Sequence, residues 1–189
     1  LFAKVSSASL CLRCIHNPEE PGWSCPTKQR AEMGKNMNCL VRNAAIKDWE
    51  AVIRIMNQVH NMHVEWRPDI YKSNDNIIPK DIFEKIVSED TFFVAEADGI
   101  VVGIIELVFQ RIGNPSLVTR NVIFIDSMAV DENYRGMGIG HLLFEKVRQI
   151  KEQKHFDGIE LQVNAKNKAA YEMYSKYGFT EQAINMELL

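Results

Sequence analysis

Apolar residues change their spacing along the chain, and those changes predict its elements. The run 39–42, Cys-Leu-Val-Arg, is short and β-rich and predicts a first strand. From Asp48 onward, Trp49, Val52, Ile53, Ile55 and Met56 recur at the spacing of one helix face, which predicts a helix. Residues 57–78 are polar and mixed, with His60, His63, Trp66, Pro68 and Tyr71, and predict helix ends and a loop. Helical spacing returns over 79–87, where Ile82, Phe83 and Ile86 share a side. Two β-rich runs follow, 91–96 and 100–109, separated by Ala97-Asp98-Gly99. Asp-Gly between such runs predicts a hairpin. A turn is predicted at 113–116, a strand at 122–130, a helix at 141–154 with Leu143, Val147 and Ile150 in one stripe, and a strand at 159–163. A helix opening at Asn167 ends near Gly178, a natural C-cap, and 179–188 predicts a last strand. Hairpins followed by strand–helix units predict an α/β (α+β) fold, a mixed sheet flanked by helices.

Chemistry first shows at the junction after the 122–130 strand. Arg135-Gly136-Met137-Gly138-Ile139-Gly140 carries the chain from that strand into a helix. Glycines let backbone N–H groups approach a phosphate, and the helix N-terminus favours its negative charge. Arg135 adds a forked, permanently charged donor. A Walker A loop is excluded, because four residues must separate its glycines before a Gly-Lys-Ser/Thr. The dinucleotide fingerprint Gly-x-Gly-x-x-Gly is excluded too, since here every second residue is Gly.

Arg135, Gly138 and Gly140, as Arg-x-x-Gly-x-Gly, resemble the acyl-CoA pyrophosphate loop of the GNAT N-acetyltransferase superfamily. Residues 167–179 resemble a second block of that family, Asn-x-x-Ala-x-x-x-Tyr-x-x-x-Gly-Phe, with Asn167, Ala170, Tyr174, Gly178 and Phe179 in place. Residues 37–49 read like the family's first strand and the start of its first helix. The resemblance covers about residues 37–189. It implies a mostly antiparallel sheet whose central strand pair splays apart to admit acetyl-CoA. It also implies an acetyl-CoA-dependent N-acetyltransferase acting on a primary amine in a ternary complex. A non-catalytic acyl-CoA sensor is the alternative.

The same resemblance implies roles for individual residues. Backbone groups of Met128, Ala129 and Val130 would pair with the pantetheine arm. Arg135, Gly136, Met137, Gly138, Ile139 and Gly140 would hold the pyrophosphate. Asn167 resembles a cofactor-contacting residue and also suits a helix N-cap. Tyr174 stands at the family's general-acid position, where a phenol protonates the departing thiolate. The base has three candidates. Asp126 shares a predicted strand face with Val122, Phe124, Met128 and Val130, and a carboxylate on an apolar face is costly without a partner or a task. Glu106 and Glu160 also lie on predicted strands, and water relaying to a carboxylate would serve as well. In the ribosomal-protein alanine acetyltransferases a Glu stands twelve residues before the acid Tyr; here that position is Gln162. His60, His63, Trp66 and Tyr71 fall in the family's variable acceptor region.

Composition sets outer bounds. With 189 residues and 46% hydrophobic content, the chain can bury one sizeable core. A formal charge of −3, with no Lys/Arg block, gives no nucleic-acid signature. No apolar run is long enough for a membrane span. A cytoplasmic protein is the expectation, and a homodimer is open to it. Cys11, Cys14, His16 and Cys25 could in principle ligate zinc, but their irregular spacing argues against it, and no metal is expected. Residues 1–36 lack periodic apolar positions and are expected to form an N-terminal extension outside the 37–189 N-acetyltransferase domain.

Overall fold

The computed structural model describes residues 37–188. Cys11, Cys14, His16 and Cys25, with the rest of 1–36, lie outside the described residues. The described elements are β1 (Cys39–Asn43), a 3-10 turn (Ile46–Asp48), α1 (Trp49–Trp66), α2 (Lys80–Ser88), β2 (Phe92–Ala97), β3 (Ile100–Asn114), β4 (Leu117–Val130), a second 3-10 turn (Glu132–Tyr134), α3 (Ile139–Gln153), β5 (Gly158–Leu161) and α4 (Lys168–Lys176). The strands form one sheet in the order β1-β2-β3-β4-β5. Every pairing is antiparallel except β4 with β5, which run parallel.

The sheet is covered on both faces, and each face has its own core. On one side α3 and α4 pack against Ile105, Leu107, Ile123 and Ile125. On the other, α1 and α2 bury Val52, Ile55 and Phe83 against Phe92, Val94 and Ile104. The Asp98-Gly99 hairpin is as expected, with both residues left-handed at φ 49° and 82°, as a two-residue type I′ turn requires. Buried Asp48 ties β1 to α1. It accepts from Arg42 Nη1 at 2.7 Å, Arg42 Nη2 at 2.9 Å and the Ala45 N–H at 2.8 Å. Burial alone would raise its carboxyl, but the Arg42 guanidinium and the backbone donor hold it below the ordinary carboxylate range.

Three expectations change. Helix α1 runs on to Trp66, because His60, His63 and Trp66 fall three apart and stay on one stripe despite their mixed polarity. Strands β3 and β4 extend past the predicted ends into a long hairpin, whose polar residues Gln110, Arg111 and Asn121 are paired through backbone. No strand forms over 179–188. Ile184, Met186 and Leu188 alternate as a strand would, yet are 72%, 91% and 100% exposed. Alternation supplies a strand pattern, but a strand also needs a neighbour to pair with. Side chains hold the tail instead: Tyr171 Oη donates to Glu181 at 3.1 Å, and Arg67 pairs with Glu187.

Candidate active site

The parallel β4–β5 pairing begins at Val122 opposite Gly158 and ends at Ile125 opposite Leu161. Strand β4 then continues to Val130 alongside β3, while β5 and its pairing end at Leu161. A fork therefore opens with its vertex at Ile125 and Leu161. Above it, the edge of β4 that carries Met128, Ala129 and Val130 has no strand partner among the described residues, and such an edge is a template for an extended ligand.

Glu106 sits one rung above the vertex. Leu107 pairs with Ile125 at the last closed rung, and Glu106 pairs with Ser127 at the first open one. Ile105 and Leu107 belong to the core under α3, so Glu106 points to the α1–α2 face. Its carboxyl is pushed up to about 7, first by burial and then by the like charges of Asp126 and Glu89. No hydrogen bond to its side chain forms among the described residues.

The other carboxylates are arranged differently. The β3–β4 register slips between Glu106 and Leu107, making Asp126 the extra residue of a β-bulge. The bulge shifts alternation by one, so Met128 and Val130 join Ile125 in the core under α3 and no longer share a face with Phe124. Asp126 is consequently exposed, not buried on an apolar face as its sequence pattern suggests. Glu160 is taken by Arg120 Nη2 at 2.8 Å, with Gln182 Nε2 at 3.4 Å. Gln162 lies just past β5 and is exposed. Of the three candidate bases, Asp126 is exposed and Glu160 is held by Arg120, whereas Glu106 is partly buried on the first open rung with its carboxyl pushed up to about 7.

Tyr174 approaches from the opposite face. It packs on Phe144 of α3 at a ring-centroid distance of 6.1 Å and on Phe179 at 5.8 Å. It belongs to the cluster that also gathers Met128, Val130 and Leu161 around the fork. Burial raises its phenol, so it holds its proton at neutral pH. Tyr177 stacks on Phe144 at 4.5 Å, while Tyr171 faces outward. Asn167 is the N-cap of α4, its Oδ1 accepting from the Ala170 N–H at 3.1 Å.

The glycine loop delivers the N-terminus of α3 to the open end of β4. Gly138 is the N-cap at φ 87°, a conformation L side chains rarely adopt, and no side chain caps this end. The first-turn N–H groups of α3 are therefore free to meet an anion. Close approach of α3 to the sheet depends on Gly103 in β3, where a Cβ would meet Ile139 Cγ2 at 2.9 Å. Arg135 folds back, its Nε donating to the Val130 carbonyl at 3.1 Å. Just upstream, Asp131 is 1% exposed. It pairs with Arg54, accepts from Gln58 Nε2 at 3.3 Å, and caps the second 3-10 turn through the Asn133 N–H at 3.0 Å.

At the end of α1, His63 lies 5.1 Å from Tyr71 and 5.9 Å from Trp66 between ring centroids. Burial and then the neighbouring His60 lower the His63 pKa. Lys166, in the loop after β5, donates to the Trp66 carbonyl at 2.6 Å. Helix α1 thus reaches both lips of the fork, the β4 lip through Arg54 and Gln58 and the β5 lip through Trp66. A separate cleft of about 440 Å³ lies on the outer side of α4, lined by Val163, Lys168, Tyr171 and Glu181. Among the described residues no three His, Cys, Asp or Glu side chains gather at metal-binding range, and no helix is long and apolar enough to cross a membrane.

Known proteins share this arrangement. Residues 56–179 match the family model described as the acetyltransferase (GNAT) family. An N-alpha-acetyltransferase of Sulfurisphaera tokodaii is 32% identical over 82% of this chain and 87% of its own. An uncharacterized N-acetyltransferase of Methanocaldococcus jannaschii is 35% identical over 51% of this chain; the match spans 42% of that protein's length. In structure, a mutant of the BH1408 protein from Bacillus halodurans superposes with a TM-score of 0.72 at 32% identity, covering 79% of this chain and 98% of that one. An aminoglycoside N-acetyltransferase in complex with CoA shares the fold, with a TM-score of 0.61 at 16% identity over 81% of this chain and 95% of that one. The forked sheet, the glycine loop at the head of α3 and a family match over most of the chain converge: the chain belongs to the GNAT family of acetyltransferases.

Proposed function

We propose that the protein transfers the acetyl group of acetyl-CoA to a primary amine, of a small molecule or of a peptide or protein, by direct attack in a ternary complex. The observation that carries this reading is the position of Glu106 on the first open rung of the fork, on the face opposite Tyr174. The pantetheine arm lies along the open edge of Met128, Ala129 and Val130. The pyrophosphate lies on the N–H groups of Gly136, Met137, Gly138, Ile139 and Gly140, with Arg135 alongside. Asn167 caps α4 beside it, which holds Tyr174 in register. Glu106, in place of Asp126, takes the proton from the incoming ammonium. The freed amine attacks the thioester carbonyl, the C–S bond breaks, and Tyr174 protonates the departing sulfur, so CoA leaves as the thiol; the second proton of the attacking nitrogen passes through solvent and restores the phenol, and Glu106 releases its proton to water. Asp126 and Glu89 add negative potential on the acceptor face and favour a positively charged acceptor over a neutral one.

The similarity to N-alpha-acetyltransferases supports acetyl transfer to nitrogen and makes peptide N-termini one class to test. The decisive experiment incubates the purified protein with acetyl-CoA and a panel of amines: peptides with free N-termini, lysine peptides, polyamines and aminoglycosides. Thiol release and product mass are followed together. Acetylation of at least one amine is expected. Tight acetyl-CoA binding without turnover on any of them would refute the proposal.

A further inference from the structure

Asp131 is buried and charged, yet none of the steps above uses it. It stands between Val130, the last residue of the open β4 edge, and the loop that opens at Arg135. Its own N–H donates to the Val102 carbonyl at 2.9 Å, and its carbonyl accepts from the Tyr134 N–H at 2.9 Å. Its carboxylate pairs with Arg54, which also donates to the Val101 carbonyl at 3.1 Å. Gln58, one turn along the same face of α1, uses both ends of its amide. Nε2 donates to Asp131 at 3.3 Å, while Oε1 accepts from the Glu132 N–H at 2.9 Å. Two side chains of α1 thereby fasten the backbone that leads from the β4 edge into the glycine loop. The far end of α1 is fastened to the other lip by Lys166.

We infer that Asp131, gripped by Arg54 and Gln58, is a positioning residue that sets the cofactor arm of the site from the acceptor-side helix, and with it the affinity for acetyl-CoA. This rests on the reading that the β4 edge and the glycine loop hold acetyl-CoA. Neither Asp131 nor its two partners touches the cofactor. They act by fixing where the Val130 carbonyl, Arg135 and the first turn of α3 stand relative to one another. A displacement of about 1 Å in such an arm is enough to cost an order of magnitude or more in a binding or reacting geometry.

The test is calorimetric titration of the full chain with acetyl-CoA, with thermal unfolding measured on the same samples. Gln58→Ala removes the partner of the Glu132 N–H and one donor to Asp131 without leaving a buried charge unpaired, so this variant is expected to fold. Its Kd for acetyl-CoA should rise about tenfold. Arg54→Met should weaken binding at least as much, and Arg54→Lys, which keeps the charge, should restore most of it. A merely structural role predicts the opposite pattern: lower unfolding temperatures with an unchanged Kd in the folded protein. Equal affinity in wild type, Gln58→Ala and Arg54→Met would overturn the inference while leaving the cofactor site standing. Absence of binding by the wild type would overturn the site itself, and the inference with it.

Discussion

Replacing Glu106 by Gln tests the active site through two observables that a structural residue would not move together. The carboxyl is raised from its ordinary 4.5 to about 7. Taken in full, that difference corresponds to roughly 3 kcal/mol against the ionised form. The side chain retains contact with water, and screening reduces the figure to about 1–2 kcal/mol. The folded protein holds this proton more tightly than the unfolded chain does. Between pH 4.5 and 7 the native state therefore binds more protons, and stability falls as pH rises through that window. Glu106→Gln removes the penalty. At pH 4 the variant should melt with the wild type; at pH 8 it should melt higher by roughly 2–8 °C. Catalysis should move the other way, with turnover falling by roughly 10²- to 10⁴-fold as the base is lost. In the wild type, kcat/KM should bend near pH 7, rising about one decade per pH unit below it and levelling off above, because Glu106 must be ionised to take the proton of an acceptor that arrives as the ammonium. Stopped-flow CoA release across pH 5–9, beside melting curves at each pH, reads both. A variant that keeps the bend and the rate would refute the assignment, whatever its stability.

Tyr174→Phe keeps the ring packed on Phe144 and should lower single-turnover rates by roughly 10²- to 10⁴-fold, with acetyl-CoA affinity by calorimetry unchanged. Asp126→Asn should leave thermal stability within about 0.5 kcal/mol, since the residue is exposed. It should also move the bend in the pH profile below 7, because one of the charges that raises Glu106 is gone. A chain beginning at Met37 should bind acetyl-CoA and melt like the full chain, as differential scanning calorimetry with and without ligand will show; loss of folding would overturn the domain boundary.

Much of this site was legible in local sequence. Asp98-Gly99 fixed a hairpin, and Gly136-Met137-Gly138 fixed the entry to α3, because both depend on backbone angles that few residues adopt. Asn167 and Gly178 bounded α4 for similar reasons. The choice among the candidate bases was not legible in the same way. Glu106 is half-buried through the strands that flank it, and Asp126 is turned outward by a bulge that leaves no mark in alternation. Whether 179–188 forms a strand depended on a neighbour, not on its own pattern. The Asp131 grip joins residues more than seventy positions apart and gives no local signal.

The two-sided sheet separates concerns within the molecule. Met128 and Val130, on the open edge of β4, draw their packing from the core beneath α3, whereas Trp66 and Tyr71 at the end of α1 belong to neither core and pack on His63. A change in size or polarity at His63, Trp66 or Tyr71 therefore leaves both cores intact. On the proposed reading, acceptor preference can then be redesigned at these positions without rebuilding the apparatus that supplies the acyl group.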